Sequence, residues 1–219
     1  LPGRSVVEGE CQPQRKQNLG IDADVVPMES GEFISESSAG NLDGPYLLGW
    51  GADYPHVTNF LDYHFGAGTK QFGTPFPEVT DVLTEAGTIG DVAKAEPLYA
   101  EANNQLKALV PMVPIVHGAD AYAARATVTD AIVRPFGAPR LWDEDPGKDT
   151  LVFMQNAEPI SLYCGDETDG ETLAACTPIV EALLDYGKDS GEIVPGLAKA
   201  CTPNEDSSVW TCELREGVK

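Results

Sequence analysis

Glycine and proline are so frequent and so evenly spread that no long uninterrupted element can form over most of this chain: 22 glycines and 17 prolines stand among 219 residues. Proline withdraws a backbone donor and fixes φ, while glycine loses more freedom on ordering than any other residue, so both interrupt helices and strands. They follow no collagen period, and no internal repeat accompanies them. The chain reads as short elements joined by many turns. Hydrophobic residues still make up 42% and charged residues 22%, which is too apolar for a disordered chain. A folded chain of this length buries roughly 70% of its extended surface, enough for one large domain or two small ones.

Acidic residues outnumber basic ones 35 to 14, for a formal charge of −21. Nucleic acid is excluded as a partner, because a phosphate backbone needs clustered Lys and Arg and here they are few and scattered. An anionic membrane surface is disfavoured for the same reason. No stretch approaches the roughly 20 apolar residues of a spanning helix. With neither an initiator Met nor a secretory signal sequence, Leu1 reads as the first residue of a mature or excised chain.

The five cysteines divide unevenly. Cys164 and Cys176 bracket an acidic loop and the start of a helix. Cys201 and Cys212 flank Thr202-Pro203-Asn204-Glu205-Asp206, a run of turn formers between two strand-like pieces. A hairpin folded there brings Cys201 opposite Cys212, within disulfide reach. Two local disulfides, Cys164–Cys176 and Cys201–Cys212, with Cys11 unpaired, are therefore expected. Two pairs of buried free thiols is the competing reading. Neither spacing is that of a zinc site or a redox dithiol. Disulfides would place the protein outside the cytoplasm.

Periodicity supplies the elements. Strands are predicted at 22–26, 45–50, 110–116 and 150–154. Helices are predicted from Glu32 to Ala39 with Ser30 as cap, Thr58 to Phe65, Pro77 to Ala86, Asp91 to Leu109, and about Glu171 to Tyr186 with Asp169 as cap. Pro178 should kink or delay the last of these. A hairpin of Val194 to Ala200 and Val209 to Leu214 closes the chain. Helices alternating with strands define the class as α/β. Residues 134–149, with a sharp polar turn at Asp143-Glu144-Asp145-Pro146-Gly147, mark a boundary.

Catalytic motifs are missing: the chain has no G-x-S-x-G, no H-E-x-x-H, no P-loop and no complete G-x-G-x-x-G. His56, His64 and His117 are too dispersed to argue a metal centre, and no cofactor is expected. The run Asp166 to Glu171 lacks the alternating ligands of a calcium loop and reads as a solvated helix start. One constellation carries chemistry, Gly49-Trp50-Gly51-Ala52-Asp53-Tyr54-Pro55, directly after an apolar run. Trp50 offers a flat apolar face, Asp53 a single carboxylate and Tyr54 a second ring with a hydroxyl. Together they suit a ligand with an amine and some apolar body. The alternative is a core Trp and an Asp capping the helix near Thr58. Spacing alone leaves both open.

At these residues the sequence resembles a known family. Val25-Val26-Pro27-Met28-Glu29-Ser30-Gly31-Glu32-Phe33, Leu42-Asp43, and Leu47 to Pro55 through Asn59-Phe60-Leu61 are similar to the peptide/oligopeptide-binding class (family 5) of extracytoplasmic solute-binding proteins of ABC importers. Leu98 to Asn103 followed by Val110 to His117 is similar to that family's late helix and strand. Asn156 to Leu162 resembles its opening strand. Val194-Pro195-Gly196-Leu197-Ala198 and Cys212 to Lys219 resemble its early hairpin. The resemblance covers about 19–133 and 150–219, but in swapped order, and several hundred intervening family residues are absent. A permuted or tandem member, a fragment, and a sequence covering only part of a larger chain all fit.

The resemblance implies a periplasmic-binding-protein-like lobe with a mixed sheet flanked by helices, its central family segment missing. Residues 1–149 correspond to the family's C-terminal part and 150–219 to its N-terminal part. The two are expected to pack as one α/β unit with strands from both in a shared sheet. It further implies non-enzymatic binding of a peptide or similar small polar solute for delivery to the membrane subunits of an ABC importer. Nickel complexes and oligosaccharides are other ligands of the class. The compartment implied is extracytoplasmic, periplasm or cell surface, with a lipid anchor on a longer chain as one form. Trp50 and Asp53 match the ligand-contacting loop, where the Asp pairs with a peptide's α-amino group; Tyr54 adjoins them, and Glu158 and Ser161 fall at the cleft rim. A truncated lobe acting as a protein-interaction module, docking a missing second lobe or another copy of itself, is the alternative. A hydrolase finds no nucleophile–base pair.

Overall fold

The computed structural model describes residues 16–218 except 23, 74, 120 and 206, so Cys11 lies outside the described residues. The chain divides into two compact units, Leu1–Ser35 and Glu36–Lys219.

Helix α1 spans Ser30–Ala39. Its first turn is capped by the Glu29 carboxylate, which accepts from the amides of Gly31 (2.8 Å) and Glu32 (3.1 Å), in place of the Ser30 cap expected from sequence. Gly40 ends it at φ +72°, where a Cβ would also lie 2.8 Å from the Lys70 backbone oxygen, so both conformation and space demand glycine.

The core of the second unit is helical. Helices α2 (Leu61–Phe65), α3 (Pro77–Gly87) and α4 (Val92–Leu109) follow one another closely. Pro77 opens α3 at a position where its missing amide costs nothing. Asp91 caps α4 through Ala93 N at 3.1 Å. Leu61 and Phe65 of α2, Val79, Leu83 and Ala86 of α3, and Ala95, Tyr99, Ala102 and Leu106 of α4 form one buried cluster. The three- and four-residue spacing within each helix puts these side chains on one face. Phe72, Phe76, Val82, Ile89 and Leu98 close its margin.

The C-terminal part contributes hairpins. Strands β1 (Leu184–Tyr186) and β2 (Ile193–Pro195) pair antiparallel, as do β3 (Ala198–Pro203) and β4 (Trp210–Leu214), in two separate two-stranded sheets. Helix α5 (Gly170–Cys176) precedes them, with Asp169 accepting from Thr172 N at 2.9 Å as its cap. The register of the second hairpin sets Cys201 opposite Cys212, and both predicted disulfides are present, with Cα separations of 5.7 Å for Cys164–Cys176 and 4.1 Å for Cys201–Cys212.

The chain thus mixes helix with small antiparallel sheets, but four expectations require correction. Among the described residues every strand lies between 184 and 214, so no shared mixed sheet forms from both halves. The residues at 24–26, 45–50, 110–116 and 150–154 run without strand pairing. Ile115 and Met154 are 74% and 88% exposed, which shows why: their alternation needs a neighbouring strand and a covering layer, and neither is there. The helix expected to reach Tyr186 stops at Cys176, because Pro178 has no amide to donate and its ring crowds the carbonyl four residues back. Thr58 to Phe65 is likewise divided into a tight turn at Val57–Asn59 and helix α2.

Several contacts join residues on either side of position 149. Arg140 donates to Asp143 (2.7 Å), to Asp185 of β1 (2.7 Å) and to the Tyr186 carbonyl (3.1 Å), while its guanidinium lies 4.9 Å from the centre of the Trp142 ring. Tyr122 stacks on Phe153 at 6.2 Å, and Tyr63 meets Thr168.

Each disulfide closes a loop of about a dozen residues, worth on the order of 3 kcal/mol in the loop-entropy account. The Cys201→Ser/Cys212→Ser double variant is accordingly expected to lower stability by a few kcal/mol at most. Denaturant titration beside the wild type checks this, and an unchanged midpoint would show that the hairpin holds without its bond.

Candidate binding site

The Trp50–Asp53 loop is organised by a residue that sequence reasoning passed over. Asn59, buried at the end of the tight turn before α2, uses both ends of its amide. Its Oδ1 accepts from the Trp50 indole Nε1 (3.1 Å) and from the Asp53 backbone amide (3.0 Å), and its Nδ2 donates to Asp53 Oδ2 (3.0 Å). One buried side chain thereby fixes the ring and the carboxylate together. Asp53 Oδ1 makes no hydrogen bond among the described residues. Asp53 does not cap the following turn; His56 does, with Nδ1 accepting from Thr58 N at 3.3 Å. That removes the helix-capping alternative for Asp53.

Trp50 is half-buried. Its ring stacks on Tyr63 (centroids 4.3 Å, planes 27° apart) and meets the His64 ring edge-on at 4.6 Å. Tyr54 is exposed, its hydroxyl 3.1 Å from Thr58 Oγ1. The backbone of the loop is tied down by Gly137 N, which donates to the Ala52 carbonyl at 2.8 Å. A polar group on a semi-rigid aromatic platform can recognise a cation that carries an apolar body.

Glu158 and Ser161 do not join this cluster. Glu158 is exposed, and Ser161 Oγ accepts from Tyr163 N (3.0 Å), while the Ile160 and Ser161 amides donate to the buried Thr172 Oγ1 at 3.0 and 3.3 Å. Their contacts are local to the loop ahead of α5. Among the described residues no group of three or more His, Cys, Asp or Glu side chains is placed to hold a metal ion, and no helix is long and apolar enough to cross a membrane.

Two titratable groups on α2, His64 and Asp62, are shifted by burial. His64 is buried, with Nδ1 2.5 Å from Gln71 Oε1, and Gln71 Nε2 in turn reaches Ser37 Oγ at 3.5 Å. Burial pushes the imidazole below its ordinary range, and the Gln71 hydrogen bond opposes that only in part. Burial raises the Asp62 carboxyl, against the backbone amide and His56, which lower it; its Oδ2 is sealed from solvent without a partner.

The sign of the His64 effect is definite. A depressed imidazole stays neutral in the folded chain while the unfolded chain takes up a proton near the ordinary value of 6.5. Its contribution to stability is complete above 6.5 and is lost as pH falls from there through the folded value. The denaturation midpoint should fall between about pH 7 and pH 5, and less steeply in His64→Asn. A slope of equal size in the variant would remove His64 as its source. Asp62 acts oppositely: its raised carboxyl makes the folded chain gain stability as pH falls from that raised value toward the ordinary 3.8.

Among proteins of known function, this chain is similar to parts of di- and tripeptide-binding proteins. The chain is 31% identical over 135 residues to Di/tripeptide-binding protein 1 of Pseudomonas aeruginosa (strain UCBPP-PA14), covering 59% of this chain and 25% of that protein. It is 30% identical over 123 residues to Di/tripeptide-binding protein 3 of the same strain, covering 54% and 23%. With the Dipeptide-binding protein of Escherichia coli (strain K12) it shares 32% identity over 71 residues, 32% of this chain and 13% of that protein. The chain thus spans a quarter or less of the length of these relatives. No protein-family model matches it, and no solved structure does.

Proposed function

We propose that this chain binds the amino end of a short peptide without catalysis, as part of a solute-capture system of the ABC importer type. The observation that carries the reading is the Asn59 knot. It holds Asp53 by one carboxylate oxygen, leaves the other unbonded among the described residues, and fixes the Trp50 ring beside it. A peptide ammonium pairs with the second oxygen through charge-assisted hydrogen bonds, and the first side chain lies against the indole. Similarity to three di- and tripeptide-binding proteins supports the ligand class. The same reading takes the chain as a member of the family 5 class in permuted or fragmentary form, with 1–149 and 150–219 building one lobe in an extracytoplasmic setting, and with Glu158 and Ser161 at the rim of the cleft, apart from the Trp50–Asp53 cluster.

Isothermal calorimetry with alanyl-alanine tests it. Asp53→Asn keeps size and shape but removes the charge, and should weaken binding by about tenfold or more, the range for a hydrogen bond to a charged group. Equal affinities in the two proteins would remove Asp53 from the site.

A second reading, a protein-interaction module, is favoured by one observation. The apolar segments 110–116 and 150–154 stand exposed without strand partners among the described residues, including Val113, Ile115, Val152 and Met154. Unpaired apolar segments of this kind invite strand addition by another chain. Sedimentation across a concentration series decides: self-association that Val152→Lys/Met154→Lys abolishes would support it, and a monomer at all concentrations would count against it.

A further inference from the structure

Tyr63 and Thr168 are 105 residues apart in sequence, yet their hydroxyl oxygens lie 2.8 Å apart. Tyr63 is the residue whose ring stacks on Trp50 at 4.3 Å. Thr168 lies inside the loop closed by the Cys164–Cys176 disulfide. That loop is fixed at further points: Asp169 caps α5 through Thr172 N, and Thr172 Oγ1 accepts the amides of Ile160 and Ser161. The hydroxyl contact therefore runs from a covalently closed, well-anchored loop to the ring that backs Trp50.

We propose that the Cys164–Cys176 loop positions Trp50: Thr168 holds the Tyr63 ring, and the Tyr63 ring sets the plane of the indole. Tyr63 and Thr168 are then positioning residues for the binding loop, acting through Trp50 and not on the ligand itself. Tyr63 is 37% exposed on a helix of only five residues, and besides Trp50 its ring meets the His64 ring edge-on at 5.0 Å. The Thr168 hydroxyl adds a fixed point at the phenol end of that ring, and a stacked pair anchored at its outer member keeps one orientation. Asn59 fixes the indole at Nε1, while Tyr63, stacked on it, and the buried His64 ring, edge-on at 4.6 Å, set its plane. The importance of that plane for ligand affinity rests on the proposal that Trp50 contacts the peptide.

The test is fluorine NMR on the full chain labelled with 5-fluorotryptophan. The three tryptophans give three resonances, of which Trp50 is assigned with Trp50→Phe. Thr168→Val, which leaves the disulfide intact, and Tyr63→Phe should each shift or broaden the Trp50 resonance and leave Trp142 unmoved. Thr168→Ser, which restores a hydroxyl, should return it. Cys164→Ser/Cys176→Ser should reproduce the Thr168→Val change. Alanyl-alanine affinity should fall about fivefold in Thr168→Val, the change one hydrogen bond accounts for. An unmoved Trp50 resonance in both Thr168→Val and Tyr63→Phe overturns the proposal. A moved resonance with unchanged dipeptide affinity upholds the positioning role and overturns Trp50 as a ligand-contacting ring.

Discussion

Leu83→Ala is expected to destabilise the protein by about 2–5 kcal/mol, the range for a buried leucine that leaves a cavity. Leu83 is 1% exposed at the centre of the cluster formed by α2, α3 and α4, with Val79 and Ala86 on its own helix and Tyr99 and Ala102 in the same cluster. No other large core exists among the described residues to share the loss, since the hairpins at 184–214 keep Ile193, Trp210 and Leu214 exposed. Leu47→Ala, at a residue 60% exposed, should change stability by no more than about 0.5 kcal/mol. Urea denaturation of the two variants checks both; equal midpoints would mean that the helical cluster is not what holds the unit together.

Asn59→Ala should have the second largest effect, on stability and on binding at once. It strips the Trp50 indole and the Asp53 amide of their acceptor and Asp53 Oδ2 of its donor. Each buried polar group left unpaired costs about 1–3 kcal/mol, offset where water can enter the space. A net loss of about 2–4 kcal/mol follows, with dipeptide binding reduced by far more than tenfold because ring and carboxylate lose their common anchor. Asn59→Asp retains both acceptor bonds but sets a carboxylate oxygen against Asp53 Oδ2, so its defect should ease as pH drops into the carboxylate range. Calorimetry at two pH values separates the variants. Normal binding by Asn59→Ala would show that the knot is not needed.

Much of this was legible in the sequence where the signal is local. The apolar spacing of α3 and α4, Asp169 as a cap, and the hairpin that pairs Cys201 with Cys212 all depend on neighbours within a few turns. The strands expected at 45–50, 110–116 and 150–154 fail for the converse reason. A strand exists only against a partner, and the alternation of Val113 with Ile115 cannot report whether a partner is present. Asn59 escaped notice because it fell inside the helix expected from Thr58 to Phe65, where a lone Asn carries no signal of its own. Only the fold reveals that its amide faces back across the loop to Trp50 and Asp53. Trp50 and Asp53 were legible as a pair from adjacency to the glycines; the Tyr63–Thr168 contact, across 105 residues, left no trace in local pattern.

In the proposed mode of binding, Asp53 receives the free amino group of a short peptide. Calorimetry with alanyl-alanine and with its N-acetylated form, on the same preparation, tests it most directly. Acetylation removes the ammonium and leaves both side chains and the carboxylate unchanged. Binding of the free dipeptide, with at least a tenfold loss on acetylation in the wild type and little further loss in Asp53→Asn, is the predicted result. Equal affinity of the wild type for both forms would contradict it.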